Sequence, residues 1–193
     1  MNVVAVFGGG GAKAAAQVGA HRALIESGLQ PREYIGTSLG GVVAACFAAG
    51  MDPDTILRKI HGITREEVAI PRRFLAVRGL FVRSLLRPRP LRDAFERLIE
   101  ARTFDELTFP LTVTAVDLDT GELVLFGRRG RKVGLIDALM ATTALPLYYP
   151  PVRIGGREYL DGGLRAVLPL EVAVGIDADV VAAVNVGPGS DET

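Results

Sequence analysis

The stretch from Tyr34 to Gly50 constrains this chain most, and its centre is Gly36-Thr37-Ser38-Leu39-Gly40. A G-x-S-x-G pentapeptide between a strand and a helix predicts a nucleophile elbow, a sharp turn that holds the serine hydroxyl out at the bend. Gly36 and Gly40 remove side chains that would collide in so tight a turn. The flanks fit this reading. Glu33-Tyr34-Ile35 is short enough to end a strand, and residues 41–49 are apolar and Ala-rich, as a buried helix requires. Gly50 stands where a helix-terminating glycine belongs. The competing reading is a plain Gly/Ser loop ahead of a core helix, so the rest of the chain has to decide.

The N-terminus carries a second loop of the same kind. Asn2 to Phe7 is a β-branched, apolar run that predicts a buried strand. Gly8-Gly9-Gly10-Gly11 follows, and from Lys13 the sequence predicts a helix ending near Ser27-Gly28. Strand, glycine loop and helix leave backbone N–H groups free to bind negative charge, either a phosphate or the oxyanion of acyl transfer. A P-loop would need Ser or Thr after its lysine, and here Ala14 follows Lys13. Gly9, Gly11 and Ala14 match the spacing of a dinucleotide-binding loop, but the second strand with an acidic end is missing and the Ser38 elbow stands in its place. An oxyanion hole beside Ser38 makes better sense of the loop.

At 193 residues, with 49% hydrophobic and 23% charged residues, one globular domain spanning 1–193 is expected. A formal net charge of zero gives no sign of a nucleic-acid partner. Cys46 is the only cysteine, and His21 and His61 lie far apart, so neither a disulfide framework nor a metal site is expected, and no cofactor is called for. Tyr34 to Met51 has no charge over 18 residues, yet its four glycines suit a core helix better than a membrane span. The expectation is a soluble, cytoplasmic protein touching membranes from outside. His21 shares the apolar side of its helix with Val18 and Ile25, which marks it as a packed histidine without an orienting acid.

Between Arg58 and Arg102 the composition turns basic, with twelve Lys/Arg against five Asp/Glu, a net +7. Phe74, Leu75, Leu80, Phe81, Leu85 and Leu86 are interleaved with the arginines. This pattern predicts a lid-like insertion over about 58–102 that faces anionic lipid; a solvated insertion whose arginines pair with acids elsewhere reads equally well. Asp52 and Pro53 open a helix before it, and residues 91–101 have amphipathic spacing. Beyond it the sequence predicts hairpins over 111–126 and 152–160, a helix over 135–144 and a last buried strand over 180–186.

A serine nucleophile needs a base. Asp161 is placed for that role: it ends a predicted strand, and Gly162-Gly163 let the backbone come close to other chain. A carboxylate is a weak base in water, but desolvation raises its affinity for a proton. Taken alone, Asp-Gly-Gly also fits an ordinary β-turn.

In order, Gly9-Gly10-Gly11-Ala12-Lys13, Gly36-Thr37-Ser38-Leu39-Gly40 and Asp161-Gly162-Gly163 resemble the patatin-like phospholipase family. Residues 141–146 and Pro150-Pro151 resemble the stretch that precedes that family's aspartate. The resemblance covers nearly the whole chain. It implies a three-layer α/β/α fold with a central, mostly parallel sheet and hydrolysis of lipid acyl esters, phospholipid or lysophospholipid among them. It also implies Ser38 as nucleophile, Asp161 as general base, and an oxyanion hole from the backbone N–H groups of Gly9, Gly10 and Gly11. Two positions depart from the family pattern: Ala14 stands where a glycine is usual, and Val167 stands near the place of a common asparagine. A catalytically silent lipid- or acyl-binding relative is the alternative these departures leave open.

Overall fold

The computed structural model describes residues 1–64 and 86–187. Its frame is a seven-stranded mixed sheet. The strands are β1 (Val3–Phe7), β2 (Pro31–Thr37), β3 (Leu111–Asp117), β4 (Leu123–Gly127), β5 (Val152–Ile154), β6 (Arg157–Asp161) and β7 (Val180–Val184). The strands β3, β2, β1 and β7 run parallel to one another, while β4, β5 and β6 join by antiparallel pairing. The sheet is therefore parallel from β3 out to β7, and the antiparallel pairing is confined to its other side, where the hairpins of β3 with β4 and of β5 with β6 lie.

All five residues of β1 are fully buried, as expected for a strand covered on both faces. Ala5 and Phe7 point into the larger core, and Val4 and Val6 into a smaller one on the opposite face. The larger core lies beneath α1 (Ala16–Glu26), α2 (Leu39–Ala48), α3 (Pro53–His61), α4 (Pro88–Leu98) and α5 (Leu135–Thr142). The smaller core is closed by residues 168–178, which include the one-turn helix α6 (Leu170–Ala173). The three layers are thus unequal. The α3 start follows its sequence signals, with the Asp52 carboxylate accepting the Thr55 N–H at 2.9 Å and Pro53 in the first turn.

Two expectations need correction. The helix predicted from Lys13 begins as a 3-10 turn over Gly11–Ala15, and α-helix sets in only at Ala16. The strand at 180–184 is not buried: it is the sheet edge beyond β1, and its residues alternate between partly and well exposed. Of the basic segment, 65–85 lie outside the described residues. Two of the flanking cations turn back onto the helical layer: Arg92 pairs with Asp137 of α5, and the Lys59 ammonium donates to the Leu98 carbonyl at 3.0 Å.

What positions the functional end of the sheet is the way β3 shares its edges. The strand β4 fills one edge, pairing Thr112 to Val116. The other edge is divided end to end: β2 pairs as far as Thr37 opposite Thr114, and β6, running the opposite way, ends with Asp161 opposite Ala115. Two strands thus approach head-on and stop at neighbouring registers. The residue after β2 and the last residue of β6 are forced together.

Helix α2 starts at that meeting point and is buried from Gly40 through Ala48. It lies so close to β1 that a methyl at Gly40 would fall 2.2 Å from the Gly8 carbonyl oxygen. Alanine is the better helix former by up to about 1 kcal/mol. Backbone cannot step aside as a side chain can, so the collision dominates. Gly40→Ala is expected to lower stability by about 2 kcal/mol or more, read as a lower urea midpoint at unchanged m-value; an unchanged or raised midpoint would contradict this packing.

Candidate active site

Ser38 occupies the bend between β2 and α2 with φ 55° and ψ −137°. A non-glycine residue held there is strained by on the order of 1–3 kcal/mol, and such strain gathers at functional sites. The Ser38 hydroxyl donates to Asp161 Oδ2 at 2.7 Å. The other carboxylate oxygen, Oδ1, accepts the Gly163 N–H at 2.8 Å. Asp161 is 3% exposed. Burial holds its carboxyl above the usual aspartate range, and the Ser38 hydroxyl and the Gly163 N–H pull it part of the way back.

The glycines around this pair are needed for contact rather than looseness. A methyl at Gly162 would fall 2.2 Å from Thr114 Oγ1, and one at Gly36 would fall 2.5 Å from the Gly41 Cα. Thr114 Oγ1 in turn lies 2.7 Å from Thr37 Oγ1, so β2 and β3 are pinned one residue before Ser38. Gly163 sits directly over the carboxylate it serves.

The glycine loop lies alongside. A methyl on Gly9 would meet the Ser38 Cβ at 3.3 Å. Its N–H is already committed, donating to the Val167 carbonyl at 2.8 Å, and the Gly8 N–H donates to the Val184 carbonyl at 3.0 Å. Among the described residues, the Gly10 and Gly11 N–H groups make no hydrogen bond. Of the N–H groups expected to act together at Gly9, Gly10 and Gly11, the first is thus engaged by the backbone after Asp161. The loop is braced from α1, where the fully buried Gln17 amide donates to the Gly8 carbonyl at 2.7 Å.

Both departures from the family pattern have local explanations. Ala14 is buried in the 3-10 turn, where its methyl packs into the larger core. Val167 leaves its side chain about half exposed and works through its carbonyl, which any residue supplies.

The histidines stand apart. His21 Nε2 lies 3.0 Å from the Tyr34 hydroxyl, its ring stacks on Phe47 at 3.6 Å, and burial lowers it to about 4. It borders a small cavity at the start of β2, the opposite end of the strand from Ser38. His61 is exposed at the end of α3. Cys46 is buried in α2, and burial pushes its thiol up to about 12.

One participant was not anticipated. The Ser38 N–H donates to Thr142 Oγ1 at 2.8 Å, from the last turn of α5. No spacing rule reveals it, since the contact spans 104 residues.

The family model described as Patatin-like phospholipase matches residues 5–174. The chain belongs to the patatin-like phospholipase family. It is similar to an uncharacterized NTE family protein of Mycobacterium tuberculosis, 30% identical over 195 residues, covering 98% of this chain and 51% of the relative. It is also similar to patatin-like phospholipase domain-containing protein 7 of Rattus norvegicus, 28% identical over 193 residues, covering 99% of this chain and 14% of that protein. A cGAMP-activated phospholipase of Escherichia coli is 33% identical over 150 residues, covering 69% of this chain and 40% of the enzyme. The chain thus spans about half the length of the first of these relatives and less of the others. Among solved structures, VipD from Legionella pneumophila shares the fold with a TM-score of 0.54 at 16% identity, over 84% of this chain and 46% of VipD.

The patatin-like site makes a prediction about stability. A carboxyl whose folded-state proton affinity is raised costs the fold stability when ionised. That cost is present at neutral pH and disappears as pH falls below the ordinary aspartate value of 3.8. Asp161→Asn is expected to raise the urea midpoint over wild type at pH 7, with the difference vanishing near pH 3. A variant less stable than wild type at pH 7 would contradict the burial of an uncompensated charge.

Proposed function

We propose that this patatin-like chain is a serine hydrolase of lipid acyl esters that works with two side chains, Ser38 and Asp161. The single observation that carries the reading is the 2.7 Å hydrogen bond from the Ser38 hydroxyl to the buried Asp161 carboxylate, inside the family to which the chain belongs. Asp161 takes the Ser38 proton as Oγ attacks the ester carbonyl. The carbonyl oxygen gains negative charge, and the N–H groups of Gly10 and Gly11 receive it. The protonated Asp161 gives its proton to the departing alcohol, leaving an acyl-enzyme on Ser38. Water then enters, Asp161 takes its proton, and the fatty acid leaves as Ser38 recovers its hydrogen.

The burial of Asp161 supports this assignment of roles. An exposed aspartate is too weak a base for a serine hydroxyl, and desolvation narrows that gap. The assignment of the oxyanion to Gly10 and Gly11 is supported by their N–H groups, which make no hydrogen bond among the described residues, and by the loop's approach to Ser38 at Gly9. An acyl substrate is favoured by the loops that border the pair. Leu145, Leu147 and Tyr148 follow α5, and Leu164 and Val167 follow Asp161; all five are exposed apolar side chains. One relative is named a phospholipase and another is named for a patatin-like phospholipase domain, and a phospholipid or lysophospholipid substrate is the reading we carry over to this chain.

Ser38→Ala removes the attacking oxygen and keeps the fold. Hydrolysis of phospholipid and lysophospholipid vesicles, followed by mass spectrometry of released fatty acid, is expected to fall at least about a thousandfold. Retention of wild-type turnover by Ser38→Ala would overturn the proposal, as would a wild type inert toward every acyl ester offered.

A further inference from the structure

Both members of the Ser38–Asp161 pair are gripped by one turn of chain. Thr142, fully buried at the end of α5, accepts the Ser38 N–H on its hydroxyl oxygen at 2.8 Å. Two residues later, the Ala144 carbonyl accepts the Asp161 N–H at 3.0 Å. Between them Thr143 donates its hydroxyl back to the Leu139 carbonyl at 2.8 Å, which closes the last helical turn. One rigid turn thus sets the backbone of the serine and the backbone of the aspartate against each other.

From this we infer that Thr142 is a positioning residue of the hydrolase reaction, holding Ser38 in its strained conformation so that its hydroxyl stays in register with Asp161. The inference rests on the hydrolase reading above. A strained residue persists only where its surroundings over-determine it. Ser38 is held at three atoms. Thr142 takes its N–H, the Gly41 N–H donates to its carbonyl at 2.9 Å, and Asp161 accepts from its hydroxyl. Of the two bonds that fix the Ser38 backbone, the one to Thr142 alone depends on a side chain. Without it the peptide ahead of Ser38 is free to rotate toward a relaxed geometry, and the hydroxyl leaves the line between Asp161 and the substrate carbonyl. The same bond has a second consequence. It withdraws the Ser38 N–H from any part in stabilising the oxyanion, which leaves that work to the glycine loop.

The test compares wild type, Thr142→Val and Thr142→Ser. Valine keeps the shape and deletes the acceptor; serine keeps the acceptor and deletes the methyl. Two quantities are measured on the full chain: kcat and KM for a chromogenic short-chain ester, and the rate at which a fluorophosphonate adds to Ser38, followed by intact mass. Thr142→Val is expected to lose about 10- to 100-fold in kcat and in labelling rate, with KM within about twofold, while Thr142→Ser stays within about threefold of wild type. A role in stability alone would lower the melting temperature without this split and without rescue by serine. Should Thr142→Val fail to fold, Thr142→Cys, a weaker acceptor of similar size, is expected to show a smaller loss of the same kind. A folded Thr142→Val or Thr142→Cys that reacts at the wild-type rate overturns the inference, as does Thr142→Ser as slow as Thr142→Val. A wild type that takes no label at Ser38 overturns the hydrolase reading and this inference together, which separates the two failures.

Discussion

The hydrogen bond from Ser38 to Asp161 joins residues 123 positions apart, and most of the architecture bears on making it short. The divided edge of β3 is the main device. One neighbour arrives parallel and the other antiparallel, and they stop at Thr114 and Ala115. Register in a sheet is set by the buried pattern of every strand at once, so a one-residue slip would turn the core faces of β2 or β6 outward. The distance between hydroxyl and carboxylate is thereby coupled to the packing of the whole sheet. The small residues at the bend follow from the same demand, since α2 and the backbone after Asp161 must approach closer than any side chain allows.

The site also opposes the stability of the fold. Asp161 is buried with no cation hydrogen-bonded to it among the described residues, and Ser38 is held in a conformation that serine avoids. Each feature favours the unfolded chain, and each is what the proposed chemistry calls for: a desolvated base and a fixed nucleophile. The compensation comes from the larger core, where α2 and α5 contribute long runs of buried apolar residues and β1 adds Ala5 and Phe7. Charge elsewhere is handled differently. Asp117 meets Arg157 at 2.9 Å and Glu33 meets Arg129 at 2.7 Å, so buried or partly buried acids away from the site are paired with arginine.

Much of this was legible in the sequence, for physical reasons that also explain what was not. The elbow, the glycine loop and the Asp-Gly-Gly turn are local, and each announces itself through glycines that tight backbone requires. The strands β1 and β3 announce themselves through apolar or β-branched runs. The Thr142 contact is not local, and a buried threonine at a helix end looks the same whether its hydroxyl serves a nucleophile or its own helix. The engagement of the Gly9 N–H was hidden for a similar reason. Only tertiary placement brings the Val167 carbonyl to its N–H. The edge position of β7 was missed because Val180–Val184 is as apolar as a central strand, and composition does not record how many neighbours a strand has. The helix after the glycine loop began late because three of the four glycines from Gly8 to Gly11 are spent outside any helix.

The central claim is that a carboxylate, with no histidine between, draws the proton from Ser38. Its most direct measurement is the rate at which an organophosphorus ester modifies Ser38 in Asp161→Asn, with circular dichroism recorded on the same sample. The asparagine keeps the shape and the contact but cannot accept a proton. The expected result is a folded variant that is modified at least about a hundredfold more slowly than wild type. A folded variant modified as fast as wild type would show that another group activates the serine.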